Sequence, residues 1–150
     1  MERERRRSGA AAPAARAAFT TPHNIPAVLV VDDDPDARGI YAEYLRSKGW
    51  IVFTAVDGRA AVEKAKALGP SIVVMDLAMP RVDGFEAIRR LRESSWTRRL
   101  PIIAMSAVPL SQDLAVLAGC DAYLAKPLAP ETLFLQICSM LRLSSQSSPA

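Results

Sequence analysis

Val28-Leu29-Val30-Val31-Asp32-Asp33-Asp34-Pro35 is the stretch that decides the fold: four apolar residues, three carboxylates, then a proline. Apolar residues that run on without polar alternation describe a strand covered on both faces, which is the pattern of a parallel sheet. Asp34-Pro35 then supplies an N-cap and a first-turn proline, so a helix is expected to follow. The unit is strand, acidic turn, helix. It recurs on moving outward along the chain. Short apolar runs stand at Ala27–Val31, Trp50–Ala55, Ile72–Met75, Ile102–Met105 and Ala122–Ala125. Segments of helical period lie near 35–48, 58–68, 84–93, 111–118 and 130–143, and Gly49 and Gly69 follow the first two. In the first, Ile40, Tyr41, Tyr44 and Leu45 form an apolar stripe, with Arg38, Glu43, Arg46 and Lys48 expected to face away. Five such repeats predict an α/β fold with an open, doubly wound, five-stranded parallel sheet; a closed eightfold barrel needs about twice the length.

The 150 residues, 50% apolar and 23% charged, suit one globular domain. The net charge of +3 misleads unless it is divided. Arg3, Arg5, Arg6, Arg7 and Arg16 against Glu2 and Glu4 already make that surplus within the first 16 residues. The rest holds 14 of the 19 Lys/Arg and 14 of the 16 Asp/Glu, so the domain itself is neutral and direct nucleic-acid binding by it is not expected. Residues 1–24 read as a basic, Arg/Ala-rich disordered tail, 26–143 as the domain, and 144–150 as a Ser-rich fringe with no output domain expected.

Several classes fall away. No apolar run approaches the roughly 18 residues that span a bilayer, so no membrane association is expected. Pro13 and Arg16 interrupt the Ala-rich start and leave no signal-peptide core. Cys120 and Cys138 lack metal-site spacing and sit in apolar surroundings, as free thiols of a reducing compartment do; a cytoplasmic location is expected. His23, the only histidine, lies in the tail, which removes Ser-His-Asp chemistry and histidine metal sites.

Ligands of an open α/β sheet bind at the carboxyl ends of its strands. Strand one ends there in Asp32, Asp33 and Asp34, strand three in Asp76, strand four in Ser106 and strand five in Lys126-Pro127. Clustered carboxylates repel one another and call for a cation, and oxygen donors without His or Cys suit a hard ion, most simply Mg²⁺. Lys126 and Ser106 are then suited to neutralise and hydrogen-bond a phosphoryl group. A cis Lys126-Pro127 bond would aim the ammonium at the acids. Asp34, directly before Pro35, reads as a helix cap and not as a member of the site.

Val28 to Pro35, Val74-Met75-Asp76-Leu77-Ala78-Met79-Pro80 with Asp83-Gly84, Ile103-Ala104-Met105-Ser106-Ala107, and Tyr123-Leu124-Ala125-Lys126-Pro127 together resemble the response-regulator receiver domain of two-component signalling, over about residues 26–143. The resemblance implies a flavodoxin-like fold with strand order 2-1-3-4-5. It implies that Asp76 accepts a phosphoryl group from a phosphohistidine on a sensor histidine kinase or histidine phosphotransfer protein. It also implies Mg²⁺ held by Asp33, Asp76 and the backbone carbonyl of Ala78, with Asp32 reaching the ion through water. Lys126 would contact the phosphoryl group, Ser106 would be the switch hydroxyl, and Tyr123 the aromatic that moves inward when Ser106 engages phosphate. The product would be a changed protein-binding surface, and the chain would turn over no separate substrate. The downstream target stays open, and so does a phosphorylation-dependent homodimer.

The sequence departs from the family pattern in places. The stretch from Ser106 to Lys126 is short and carries Pro109, so the fourth helix is expected to be shortened and its usual part in dimerisation is in doubt. Leu128 replaces the common phenylalanine after Lys-Pro. Ala78 and Val108 stand where the family often has polar residues; neither orients an attacking water, so a long-lived phosphorylated state is expected. Two other classes compete. A haloacid-dehalogenase-like phosphatase would use Asp32 and Asp34, but beyond Lys126 only Glu131 remains of the acidic pair it needs. A binding module would act through the Arg-rich tail on nucleic acid or acidic proteins. A nucleotide hydrolase lacks its phosphate-cradling glycine loop.

Overall fold

The structure is a computed structural model and describes residues 25–79, 83–108 and 111–143. The tail, the Ser-rich fringe, Pro80 and Pro109 lie outside the described residues. Five strands, β1 (Ala27–Val31), β2 (Ile51–Ala55), β3 (Ile72–Asp76), β4 (Ile102–Ser106) and β5 (Ala122–Ala125), alternate with five helices. These are α1 (Pro35–Ser47), α2 (Gly58–Leu68), α3 (Gly84–Glu93), α4 (Ser111–Ala118) and α5 (Pro130–Leu141). The strands form one parallel sheet in the order β2-β1-β3-β4-β5.

Strand periodicity divides the core. Val28, Val30, Ile72, Val74, Ile103 and Met105 point to one face and pack with Tyr41 and Leu45 of α1 and Leu133, Phe134 and Ile137 of α5. Their alternate neighbours Leu29, Val31, Val73, Met75, Ile102 and Ala104 meet α2, α3 and α4 through Ala61, Ala65, Ile88, Leu91 and Ala115. Complete burial of a Leu, Ile or Val is worth about 1.5–3 kcal/mol, so this two-sided core dominates stability. The central strands β1, β3 and β4 are buried throughout, whereas the edge strands β2 and β5 are only partly covered. Two-sided coverage, expected of every run, therefore fails at the edges, where a strand has one neighbour and less helix over it.

Asp34, Asp57 and Asp83 cap α1, α2 and α3, accepting from the N–H groups of Asp36, Ala60 and Glu86. Each such cap contributes about 1 kcal/mol. Asp34 is thus the cap that Pro35 implied. In α1, Ile40 is exposed while Tyr41, Ala42 and Leu45 are buried, which corrects the expected stripe. The buried face is centred between Tyr41 and Leu45, and a helix turns Ile40 well off that line. Arg38 and Lys48 do not simply face away either: Arg38 Nη1 donates to Asp32 O at 2.8 Å, and Lys48 Nζ lies over the rings of Tyr44 and Phe134.

Between α3 and β5, Arg92 acts as a clasp. Its guanidinium donates to Gly119 O (2.8 Å), Leu100 O (2.7 Å) and Asp121 Oδ2 (2.8 Å). Asp121 Oδ2 also accepts from the N–H of Ile102 at 2.9 Å, so the turn leading into β5 is tied to the start of β4.

Candidate functional site

β1, β3, β4 and β5 deliver their final residues to one edge of the sheet. Backbone pairing carries β3 through Asp76, opposite Met105, and β4 through Ser106, opposite Ala125. Both strands are one residue longer than their apolar runs, because the ladder is made by the main chain and tolerates a polar last side chain. The consequence for the site is rigidity: the carboxyl of Asp76 and the hydroxyl of Ser106 are borne on paired strand, not on loop.

Asp32 is fully buried and Asp76 and Ser106 nearly so, while Asp33 is exposed. Carboxylate oxygens of Asp32, Asp33 and Asp76 lie within 4.8 Å of one another. Lys126 Nζ is 3.1 Å from Asp32 Oδ2 and 3.6 Å from Asp76 Oδ2, and the Lys126–Pro127 peptide is cis. Among the described residues, one ammonium against three carboxylates leaves the cluster with a formal deficit of two positive charges. An all-oxygen set with that deficit is what a divalent hard cation fits. Asp32 has little left to offer directly: Oδ1 accepts from Asp34 N at 2.9 Å and Oδ2 holds Lys126.

Burial pushes the carboxyl of Asp76 up to about 6; the Ala78 N–H on Oδ1 (3.1 Å) works against that rise, and the charge of Asp32 adds to it. For Lys126 burial acts to lower the pKa, but the hydrogen bond to Asp32 and the charges of Asp76 and Asp32 outweigh it, and the ammonium is held above its ordinary value. The reluctant carboxylate is thus a consequence of burial, and the cationic lysine a consequence of the carboxylates around it.

Ala78 and Val108 are both exposed beside this edge. Ser106 Oγ accepts from Val108 N at 3.0 Å. Tyr123 is half-buried, and its hydroxyl already lies against the β4–α4 loop, 3.1 Å from Val108 O. The structure therefore brings together Asp32, Asp33, Asp76 and Lys126, with Ser106 and Tyr123 joined through Val108. Asp34 is turned away into its capping role, which deprives a phosphatase-like reading of its second acid.

Three contributors escape a reading of the sequence. Arg38 steadies the carbonyl of Asp32, yet a charged residue on a helix is ordinarily assigned to solvent. Gly84 lies so close beneath the end of β3 that a Cβ there would come within 2.4 Å of Asp76 O. Its place right after Asp83, in a motif with the end of β3, was the only signal. Ser111, 5% exposed, bonds Tyr123, and a serine at a helix start has too many ordinary uses to stand out.

The model of the response regulator receiver domain matches residues 28–138. The chain belongs to that family. Receiver domains are signalling modules that interact with histidine kinases or phosphotransfer proteins and bind Mg²⁺ at an acidic pocket. CheY4 of Vibrio cholerae, a chemotaxis response regulator, superposes with a TM-score of 0.72 at 30% identity, over 77% of this chain and 98% of that one. The receiver domain of the sensor histidine kinase PA1611 from Pseudomonas aeruginosa, solved with magnesium in its active-site cleft, gives 0.72 at 32% identity over 77% and 96%. Among curated relatives, the transcriptional regulatory protein TrcR of Mycobacterium tuberculosis is 37% identical over 119 residues, 79% of this chain and 46% of that protein. The chain spans about half the length of the first transcriptional regulators it matches. Among the described residues, no helix is long and apolar enough to cross a membrane.

Proposed function

We propose that this receiver takes a phosphoryl group onto Asp76 from a phosphohistidine of a sensor histidine kinase or phosphotransfer protein, and that the aspartyl phosphate alters which protein the chain contacts. The observation that carries the reading is the placement of Lys126 Nζ between Asp32 and Asp76, at 3.1 and 3.6 Å, on an edge where three carboxylates converge. A carboxylate oxygen of Asp76 attacks phosphorus, the P–N bond to the donor imidazole breaks, and the departing imidazole nitrogen takes a proton from solvent. The low-polarity pocket that raises the pKa of Asp76 also strips water from it, and Lys126 offsets charge that builds on the transferring oxygens. Asp33, Asp76 and the Ala78 carbonyl would hold Mg²⁺, with Asp32 acting through water; the ion supplies neutralisation of the phosphoryl charge. Ser106 turns its hydroxyl to a phosphoryl oxygen and draws the β4–α4 loop with it.

Phosphotransfer profiling against the histidine kinases of the source organism tests this, with Asp76→Asn as control. Label is expected on the wild-type chain from a cognate kinase, in Mg²⁺ and not in EDTA. Stable label on Asp76→Asn equal to wild type would show that another residue is the acceptor.

A further inference from the structure

Tyr123 and Ser106 do not meet through their side chains; a third side chain stands between them. Ser106 Oγ accepts from the N–H of Val108 at 3.0 Å. The carbonyl of the same residue accepts from Ser111 Oγ at 2.7 Å. Ser111 Oγ in turn lies 2.8 Å from the hydroxyl of Tyr123. Ser111 and Tyr123 share one hydrogen bond at this last contact, which either hydroxyl can donate. The chain of bonds runs Ser106 hydroxyl, Val108 peptide, Ser111 hydroxyl, Tyr123 hydroxyl. Direct contacts of Tyr123 with the loop are longer, 3.1 Å to Val108 O and 3.5 Å to Ser106 O.

Ser111 opens α4, is 5% exposed, and bonds Val108 O a second time through its own N–H at 3.1 Å. It is thus tied to Val108 by main chain and side chain together, while its hydroxyl also meets the tyrosine on β5. From this we propose that Ser111 is the positioning residue that couples Ser106 to Tyr123, transmitting displacement of the β4–α4 loop into the position of the aromatic ring. The inference rests on Asp76 being the phosphoryl acceptor and adds how that event reaches the β5 surface. When Ser106 swings to a phosphoryl oxygen, the Val108 peptide follows its N–H contact, and Ser111 carries Tyr123 along. Because the coupling is a free energy shared by both ends, loss of Ser111 must also change binding at the phosphoryl site, and it weakens binding because the contact tightens as Ser106 engages the phosphoryl oxygen.

The test uses the full chain with Mg²⁺ and beryllofluoride as the phosphoryl analogue, its tyrosines fluorinated and the Tyr123 signal assigned by Tyr123→Phe. In wild type, beryllofluoride is expected to shift the Tyr123 resonance. Ser111→Ala is expected to lower beryllofluoride affinity about three- to tenfold, the range of one lost hydrogen bond, and to shrink that shift. Ser111→Thr keeps the hydroxyl and should restore both. Tyr123→Phe removes only the other end of the contact and should cost the same affinity, with the double variant no worse than either single one. Unchanged Mg²⁺ affinity in each variant shows an intact fold. Wild-type affinity and shift in Ser111→Ala, or penalties that add in the double variant, would overturn the coupling while leaving Asp76 as acceptor. Absence of beryllofluoride binding by wild type would instead overturn the acceptor reading, and the coupling with it.

Discussion

As the proposed acceptor, Asp76 would have to be an anion to attack phosphorus, yet it stands where an anion is disfavoured. Its pKa is raised from 3.8 to about 6, chiefly by burial. A carboxyl with a raised folded-state pKa supports the fold fully below its unfolded value and loses that support as pH climbs through the folded one. In EDTA, wild type should therefore lose stability between about pH 4 and pH 6 through this group, by an amount on the order of 2–3 kcal/mol at about 1.4 kcal/mol per unit. Asp76→Asn lacks the penalty. Urea denaturation in EDTA should find the variant more stable than wild type at pH 7.5, with the gap closing below pH 4; equal stability at pH 7.5 contradicts the assignment. Ala78 and Val108 act in the opposite sense, by what they lack. Both are exposed beside the site and neither can orient water, so aspartyl phosphate should persist for minutes or longer in Mg²⁺ buffer. Ala78→Asn with Val108→Glu should shorten that lifetime at least severalfold, read as loss of radiolabel; wild-type decay within seconds is incompatible with it. The acids and Lys126 were legible in the sequence because each closes an apolar run, and the topology sends all run ends to one edge. Ser111 was not, since its role depends on a loop path that no local pattern encodes.

At the scale of elements, edge strand β2 shows how the fold restrains itself. Ile51 donates to Pro26 O and Ala55 O accepts from Asp32 N, so alternate residues of β2 face β1. Val52 and Thr54 consequently turn their main-chain groups outward, which makes a template for another strand. Arg46 Nη2 donates to Val52 O at 2.9 Å, and Lys64 Nζ donates to Thr54 O. Two cations from α1 and α2 thus occupy the outward carbonyls. The pair Arg46→Ala and Lys64→Ala should leave thermal stability nearly unchanged, because exposed groups contribute little. Sedimentation velocity at rising concentration should show more self-association than wild type. Identical sedimentation of the two proteins would mean that the cations do not guard the edge. The sequence placed both helices correctly but assigned Arg46 only to the solvent side of α1. Helical period tells which residues leave the core and says nothing of what a long side chain reaches once outside. Helix α4 is the reverse case: the helical period predicted 111–118, and the helix runs Ser111–Ala118.

For the molecule as a whole, the informative quantity is where charge sits. A domain close to neutral in sequence gathers Asp32, Asp33 and Asp76 at one edge, where among the described residues Lys126 is the cation paired with their carboxylates. Continuous apolar strands made the parallel sheet legible, and turn chemistry placed its helices. The strand order came from family resemblance, since pairing between distant segments leaves no periodic trace, and the partial exposure of β2 and β5 follows from that order alone. Carboxylate crowding survives in the fold because the central strands hold it there; α2 and α3 are capped by Asp57 and Asp83 on this same side. A cation that relieves the crowding must then stabilise the entire domain, for the acids stand at or directly after the ends of its core strands. Binding to the folded state alone contributes RT ln(1 + [L]/Kd), about 1.4 kcal/mol at ten times Kd. For a domain of this size that corresponds to a rise of about 4–8 °C in Tm. Asp33→Asn removes an exposed ligand without disturbing a buried contact, so its metal-free Tm should match wild type while the Mg²⁺-induced rise is largely lost. Calorimetry of both proteins in EDTA and in saturating Mg²⁺ decides it. An equal rise in the two would place the ion elsewhere, and no rise in wild type would mean that Lys126 alone is enough to hold the acids together.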